Sequence, residues 1–310
     1  IVVGGMVSFM DITERKRKEE QIAYLGNHDA LTGLYNRSYF EKVYPLYDTS
    51  EHWPLSLIFA DINGLKMTND IFGHQAGDKL IKKAAEILKK SCSGHDMVAR
   101  TGGDEFILLL TKTTREQAEK VIVAIRSGFA NARIEAIKCS ISLGSETKSA
   151  EGMSLEEVMA NAENAMYRDK NSNRTKVQND LINTLQETLH ARSRREEEHS
   201  AAVQDLCCKL AHALGVSEAE LNTISRAAYL HDIGKISLSE ELLHKEQFTS
   251  DEYERMKQHP VVGFRILTLF DDTLDLAEAV YSHHERWDGS GYPRGLKGEQ
   301  IPYLSRIMAV

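Results

Sequence analysis

The stretch "MVARTGGDEFILLL" (Met97–Leu110) decides the reading of the first half of the chain. Two short apolar runs, "MVAR" and "EFILLL", flank "TGGD", a pattern that reads as a β-hairpin with glycine at its tip. The paired glycines let the backbone approach a phosphate closely, and Asp104 and Glu105 place carboxylates beside it. Upstream, "PLSLIFADI" (54–62) is a near-continuous apolar run, as expected of a buried strand. It ends on Asp61, and strand ends are where α/β folds present ligand-binding groups. Taken alone, Asp61 also fits a residue that merely opens a loop. Carboxylates from two strand ends beside a nucleotide's phosphates are a common way to hold Mg2+. The sequence has no GxxxxGK[ST] loop, so this is not a P-loop enzyme.

Outward from the hairpin, strands and helices alternate. "HQAGDKLIKKAAEILKKS" (74–91) has helical spacing at Leu80, Ala84, Ile87 and Leu88. Helices near 114–130 and 154–169 and a strand near 134–143 complete an α/β domain. "KNSNRTKVQND" (170–180) is polar and without apolar periodicity, which places a domain boundary there. Beyond it helical patterns dominate, and eight of the twelve histidines fall in this half. It reads as a second, all-α domain. At the other end, "IVVGGMVSFM" suits a strand, and Asp11 with Glu14 reads as a capping box opening a charged helix toward Leu25. The chain stops at "RIMAV" without a helix-ending signal.

The 310 residues allow two ordinary domains, and a net charge of -8 argues against a general nucleic-acid binder. Four cysteines without CxxC spacing favour a reduced, cytosolic setting. No apolar run reaches the roughly 20 residues of a membrane helix, so any membrane contact would come from an upstream region.

The second half concentrates histidines with one aspartate. His199, Val203, Leu206 and Leu210 follow i, i+4, i+7, i+11, which sets His199 on an apolar helix face, where a core histidine would also sit. Ile224, Ala228, His231, Asp232 and Lys235 share another face. Burying the Asp232 carboxylate without a partner is costly, and a metal would provide one. His259 precedes Pro260, where one helix ends and another can begin. In "HHERWDGSGYPRG" (283–295), His283 and His284 on a helix would project roughly 100° apart and reach one wide site. Five histidines, an aspartate and no cysteine suit Fe, Mn or Zn in a two-metal centre that generates hydroxide. "DGSGYPRG" fails as a dinucleotide fingerprint, because Arg294 takes the third glycine's place and no strand precedes it. A surface loop is its plain alternative.

Residues 28–177 resemble a GGDEF domain of the diguanylate cyclase family. The matching pieces stand in order: "DALTGLYNR", "DINGLKMTNDIFGHQAGD", "RTGGDEF", "SISLG" and "AMYRDKNSNR". The resemblance implies a central sheet flanked by helices, and a reaction joining two GTP into cyclic di-GMP. It implies Mg2+ (or Mn2+) on Asp61, Asp104 and the Ile62 carbonyl, with Glu105 at the metal or the reacting hydroxyl. Asn69 and Asp78 would read guanine, and Lys66, Lys170 and Arg174 would neutralise the triphosphate. Each copy would hold one GTP, so the cyclase would work as a homodimer through facing GGDEF domains and a signalling helix. Asn63 and Leu65 stand where many members have Asp and Phe, neither of them a metal ligand. The family's RxxD product-inhibition motif reads "SGHD" (Ser93–Asp96), without its arginine.

Residues 178–310 resemble an HD-GYP domain, a cyclic di-GMP phosphodiesterase branch of the HD hydrolases, through "HDIGK", "HP", "HHERWDGSGYP" and "IPYLSRI". This implies metal ligands His199, His231, Asp232, His259, His283 and His284, with Asp232 bridging. Lys235 would hold a scissile-phosphate oxygen, and Gly291, Tyr292 and Pro293 would shape the loop beside the substrate. Some members carry a third-metal glutamate four residues before the first histidine. Arg195 stands there, with Glu196 one step out of register, so a two-metal site is expected. The family pattern places one more aspartate ligand just past "RIMAV", which makes this domain incomplete. Residues 1–10 resemble the end of a PAS sensor domain, and 11–27 its signalling helix. The whole reads as a protein that makes and breaks cyclic di-GMP, hydrolysing it to pGpG or GMP. The alternative is a phosphodiesterase whose GGDEF half is a GTP-binding regulatory module.

Overall fold

The computed structural model describes residues 24–134, 137–149 and 152–309. The expected PAS strand and nearly all of the signalling helix lie outside the described residues. The described chain falls into two compact units. The first draws on segments up to Ile62, Ile81–Gly128 and Ile141–Lys170, the second on Asn63–Leu80, Phe129–Ser140 and the chain from Asn171 onward.

The first unit is built on a five-stranded sheet in the order β1-β3-β4-β2-β7. Its strands are β1 (Tyr35–Asn36), β2 (Leu55–Ile62), β3 (Met97–Arg100), β4 (Glu105–Leu110) and β7 (Ile141–Lys148). β2 lies between β4 and β7, antiparallel to both, and β3 and β4 form the expected hairpin. The central place of β2 explains its unbroken apolar run: side chains on both faces are covered. Leu55, Leu57, Ile107 and Leu109 pack with Leu155, Val158 and Ala162 on one face. The register pairs Asp61 with Glu105 on one side and Ser142 on the other, so three polar side chains gather at one end of an apolar sheet.

Beyond β7 the described chain is helical. The elements are α5 (Leu155–Arg192), α6 (Arg194–Ala213), α7 (Glu218–Leu230), α8 (Glu240–His244), α9 (Ser250–Met256), α10 (His259–Leu267), α11 (Leu274–Tyr281) and α12 (Tyr303–Met308). Earlier come α1 (Arg37–Val43), α2 (Leu65–Phe72), α3 (His74–Ser91) and α4 (Arg115–Ala130), with the short hairpin β5 (Arg133–Ile134) and β6 (Ile137–Lys138). Capping boxes open α7 at Ser217/Glu220 and α9 at Thr249/Glu252. Leu181, Leu185, Leu189, Ile233, Ile266, Leu276 and Val280 form the main core of the second unit. Among the described residues no helix is long and apolar enough to cross a membrane.

Four local expectations need correction. The helix expected over 154–169 continues to Arg192, through the polar stretch. Helix propagation is cheap once nucleated, and Leu181, Ile182, Leu185 and Leu189 anchor the far end. The strand expected near 134–143 is instead the β5–β6 hairpin followed by β7. The buried face of α6 runs through Glu196, Ser200, Cys207 and Ala211, while Leu206 is 64% exposed. His199 sits beside that face rather than on it. Finally, α7 ends at Leu230 and α11 at Tyr281, so His231, Asp232, His283 and His284 follow helices instead of riding on them.

A proline inside a continuous helix removes a hydrogen bond and clashes with the preceding turn, whereas a linker tolerates it. Asn173→Pro should therefore destabilise the chain by about 3 kcal/mol, seen as a lower denaturant midpoint by circular dichroism.

Candidate metal centre and carboxylate site

In the second unit, helix ends deliver the histidines. His231 is the cap residue that ends α7, His259 the first residue of α10, and His283 follows the end of α11. Each makes the same local bond: Nδ1 lies 2.7 Å from Ala228 O, 2.7 Å from Met256 O and 2.6 Å from Val280 O, respectively. A carbonyl only accepts, so each Nδ1 carries a proton and each ring turns its Nε2 inward; burial opposes charge on His231, but the Asp232 carboxylate beside it raises that ring's pKa. His259 Nε2 and His283 Nε2 stand 3.3 Å apart. Two lone pairs at that separation repel unless a cation or proton lies with them. Burial, reinforced by the neighbouring imidazoles, drives the His283 pKa well down and that of His284 down to about 3. Such rings are free bases at neutral pH, the form that ligates metal.

Asp232 sits at the centre and is 2% exposed. Its Oδ2 is 3.0 Å from His231 Nε2, 3.5 Å from His199 Nε2 and 2.9 Å from Lys235 Nζ. Its Oδ1 faces the other way, 3.1 Å from His259 Nε2 and 3.8 Å from His283 Nε2, and makes no hydrogen bond. Burial alone would raise its pKa, but His231, His259 and Lys235 hold it well below the usual carboxylate range. Two groups of potential metal ligands result, His199–His231–Asp232 and Asp232–His259–His283–His284, each with donor atoms within 4.8 Å. They share only Asp232. Divalent metal fits this donor set: imidazole nitrogens with fixed outer hydrogen bonds, and a carboxylate with a bare buried oxygen.

Two glycines make the assembly possible. A Cβ on Gly234 would lie 1.9 Å from His259 O, so only glycine lets the 3₁₀ turn after Asp232 press against the start of α10. A Cβ on Gly291 would lie 2.6 Å from His284 O and 2.3 Å from Arg286 N. The loop therefore folds tightly onto 284–286, and Tyr292 stacks on His284 at 4.7 Å between centroids. Tyr292 lines a cleft of about 200 Å3 with Arg195, Glu196, Lys235, His259 and His284. That is less than the roughly 300–1,000 Å3 of pockets that engulf a drug-sized ligand.

Two acids the sequence reading left unassigned are built into this region. Buried Glu285 accepts from Arg294 N at 2.7 Å and Leu296 N at 2.8 Å, fastening the loop. Glu196 bonds Lys235 Nζ at 2.9 Å. Among the glutamates of "RSRREEE" (192–198) Glu196 alone is buried, because it is in phase with Ser200 and Cys207.

In the first unit, Asp61 is 4% exposed. Its Oδ2 accepts from Lys170 Nζ at 2.7 Å, while Oδ1 is buried without a hydrogen bond. Burial raises its pKa; Lys170 opposes this, and Asp104 and Glu105 add to it. Ile62 N donates to Asp104 O at 3.0 Å, tying the hairpin tip to the end of β2. Arg100, also unassigned from sequence, clamps the tip by donating to Gly102 O and Gly103 O, and pairs with Asp29. The bare Asp61 oxygen beside Asp104 and Glu105 suits a hard cation such as Mg2+. Lys66, Asn69, Asp78 and Arg174 belong to the second unit. There Asn69 lies over Gly77, Lys66 and Asp78 are exposed, and Arg174 pairs with Asp271 at 2.7 Å. Asp96 is occupied in its own turn, accepting from Ser93 N and Oγ at 2.7 Å and from Thr111 N at 3.3 Å.

Residues 26–176 match the family described as diguanylate cyclase, GGDEF domain. Residues 176–310 match the HD domain family. The chain thus carries a GGDEF domain followed by an HD domain. Over 134 residues it is 44% identical to a cyclic di-GMP phosphodiesterase of Thermotoga maritima, covering 42% of this chain and 36% of that one. A 3'3'-cGAMP-specific phosphodiesterase 2 of Vibrio cholerae is 37% identical over 134 residues, 42% of this chain and 26% of its own. Diguanylate cyclase DgcM of Escherichia coli is 35% identical over 175 residues, 54% of this chain and 42% of its own. The chain spans less than half the length of each of these relatives.

Asp232→Asn weakens the one ligand common to both groups. Elemental analysis should find metal in the purified chain and less than one equivalent in the variant; retention of all the metal by Asp232→Asn would refute the shared-ligand geometry.

Proposed function

We propose that the chain is a bacterial cyclic di-GMP signalling protein, with an HD-GYP-type phosphodiesterase in its second half and a diguanylate cyclase in its first. The observation that carries the reading is the single buried carboxylate, Asp232, shared between two convergent imidazole groups. In this reading His199 and His231 would hold one divalent ion and His259, His283 and His284 a second, with Asp232 common to both groups. Divalent ions held there would supply a hydroxide at neutral pH and offset charge developing at phosphorus. Lys235 offers its ammonium to a non-bridging oxygen of the scissile phosphate. Tyr292 and the loop fastened by Glu285 form the wall against which the sugar rests. An oxygen from water bonds to phosphorus, the ribose oxygen departs with a proton, and the ring opens to linear pGpG; a second cleavage gives GMP.

In the cyclase half, Asp61, Asp104 and the Ile62 carbonyl would hold Mg2+ or Mn2+, with Glu105 at the metal or the attacking hydroxyl. Asn69 and Asp78 read guanine: a carboxylate accepts both N1–H and the exocyclic N2–H, which adenine does not offer. Lys66, Lys170 and Arg174 meet the triphosphate, and two copies face each other to join two GTP. An upstream PAS-type sensor and a signalling helix control that pairing. The regulatory alternative also has support. Lys170 and Arg174 are each engaged by a carboxylate, and the segment carrying Lys66 and Asn69 groups with the HD helices. GTP that redirects those contacts would act as a ligand even without turnover.

The test uses the full chain, given GTP with Mg2+, and separately cyclic di-GMP or 3'3'-cGAMP with Mn2+ or Fe2+. Cyclic di-GMP made in the first reaction and cleaved in the second is expected. Cleavage without synthesis selects the regulatory alternative, and an intact cyclic dinucleotide under every metal refutes the phosphodiesterase. With Asp96 occupied and no arginine at position 93, synthesis should proceed without product inhibition through this turn. Tight cyclic di-GMP binding that is lost on Asp96→Ala contradicts that expectation.

A further inference from the structure

The ammonium of Lys235 lies between two buried carboxylates, 2.9 Å from Asp232 Oδ2 and 2.9 Å from Glu196 Oε2. The Glu196 side chain is only 8% exposed. The two anions are not equivalent. Asp232 belongs to both potential ligand groups, so a cation held by either consumes its charge. Glu196 belongs to neither group, and it reaches Lys235 from the first turn of α6, across the cleft that both residues line. With divalent cations on Asp232, an ammonium beside them is repelled by like charge, the more so in a site with little water. A remaining buried carboxylate is what keeps it there.

We propose that Glu196 is a positioning residue that holds Lys235 Nζ in the cleft, where a non-bridging phosphate oxygen arrives. It is distinct from a third-metal ligand: the position four residues before His199 is Arg195, which is exposed at the edge of the same cleft. The inference rests on the phosphodiesterase reading for its consequence, but not for its geometry. Glu196 acts through Lys235, so its removal costs nothing further once Lys235 is gone.

The test is a double-mutant cycle on the full chain loaded with Mn2+, comparing wild type, Glu196→Gln, Lys235→Ala and the double variant. Glu196→Gln should lower kcat/KM for cyclic di-GMP by about 10–100-fold. In the Lys235→Ala background the same change should alter kcat/KM by less than about twofold, with metal content equal in all four proteins. A second readout needs no turnover: pulsed acetylation, with the Lys235 peptide quantified by mass spectrometry. Glu196→Gln should raise the labelling rate of Lys235 severalfold in the metal-loaded protein. An unchanged rate, an equal loss of kcat/KM in both backgrounds, or a lost metal equivalent each overturns the proposal. If wild type leaves cyclic di-GMP intact, the phosphodiesterase reading fails, and the labelling result still decides whether Glu196 fixes Lys235.

Discussion

A carboxylate placed where water does not reach sets the terms for the whole helical half. Asp232 is buried among four imidazole nitrogens and one ammonium, and one of its oxygens has no hydrogen bond. An isolated ion there would cost many kcal/mol, and its pKa would climb until it neutralised. Instead it is held ionised by His231, His259 and the Lys235 ammonium. Helix ends, the 3₁₀ turn and the glycine loop all serve to converge on this anion.

Convergence depends on a repeated local device. Each of the three buried rings spends its Nδ1 proton on the carbonyl three residues earlier, where a helix is ending or a turn is beginning. The orientation of each imidazole is thus decided within one turn of chain. The long-range part is only the stacking of those turns, and Gly234 and Gly291 mark where backbone meets backbone. Asp61 follows the same logic in the sheet: a buried acid at a strand end, satisfied on one oxygen by Lys170 and bare on the other.

Much of this could be read from the chain because it is carried by residue type and spacing. The hairpin around Gly102–Gly103, the buried strand ending in Asp61 and the start of α10 at His259-Pro260 all rest on local rules. So does the choice of histidines. What escaped the sequence rests on three-dimensional partners. The polar run 170–180 is helical because of the leucines that follow it. The inward face of α6 passes through Glu196 and Ser200 because a partly buried lysine, distant in sequence, makes a glutamate acceptable there. Helical wheels set the histidines on helix faces; in fact His231, His283 and His284 lie just beyond helix ends, where backbone turns re-aim them.

The candidate ligands are spread over 86 residues, from His199 to His284, on separate helices and turns. None of the pieces forms a site alone, so any ion bound by the folded arrangement is released when those segments part. Binding and folding are then one equilibrium. An ion present at a hundred times its dissociation constant adds about 2.7 kcal/mol to the stability of the folded state. In the proposed two-metal reading, the stability of the helical half is thereby tied to the free metal concentration of its surroundings, and scarcity of metal would be felt in the fold before any chemistry is asked of it.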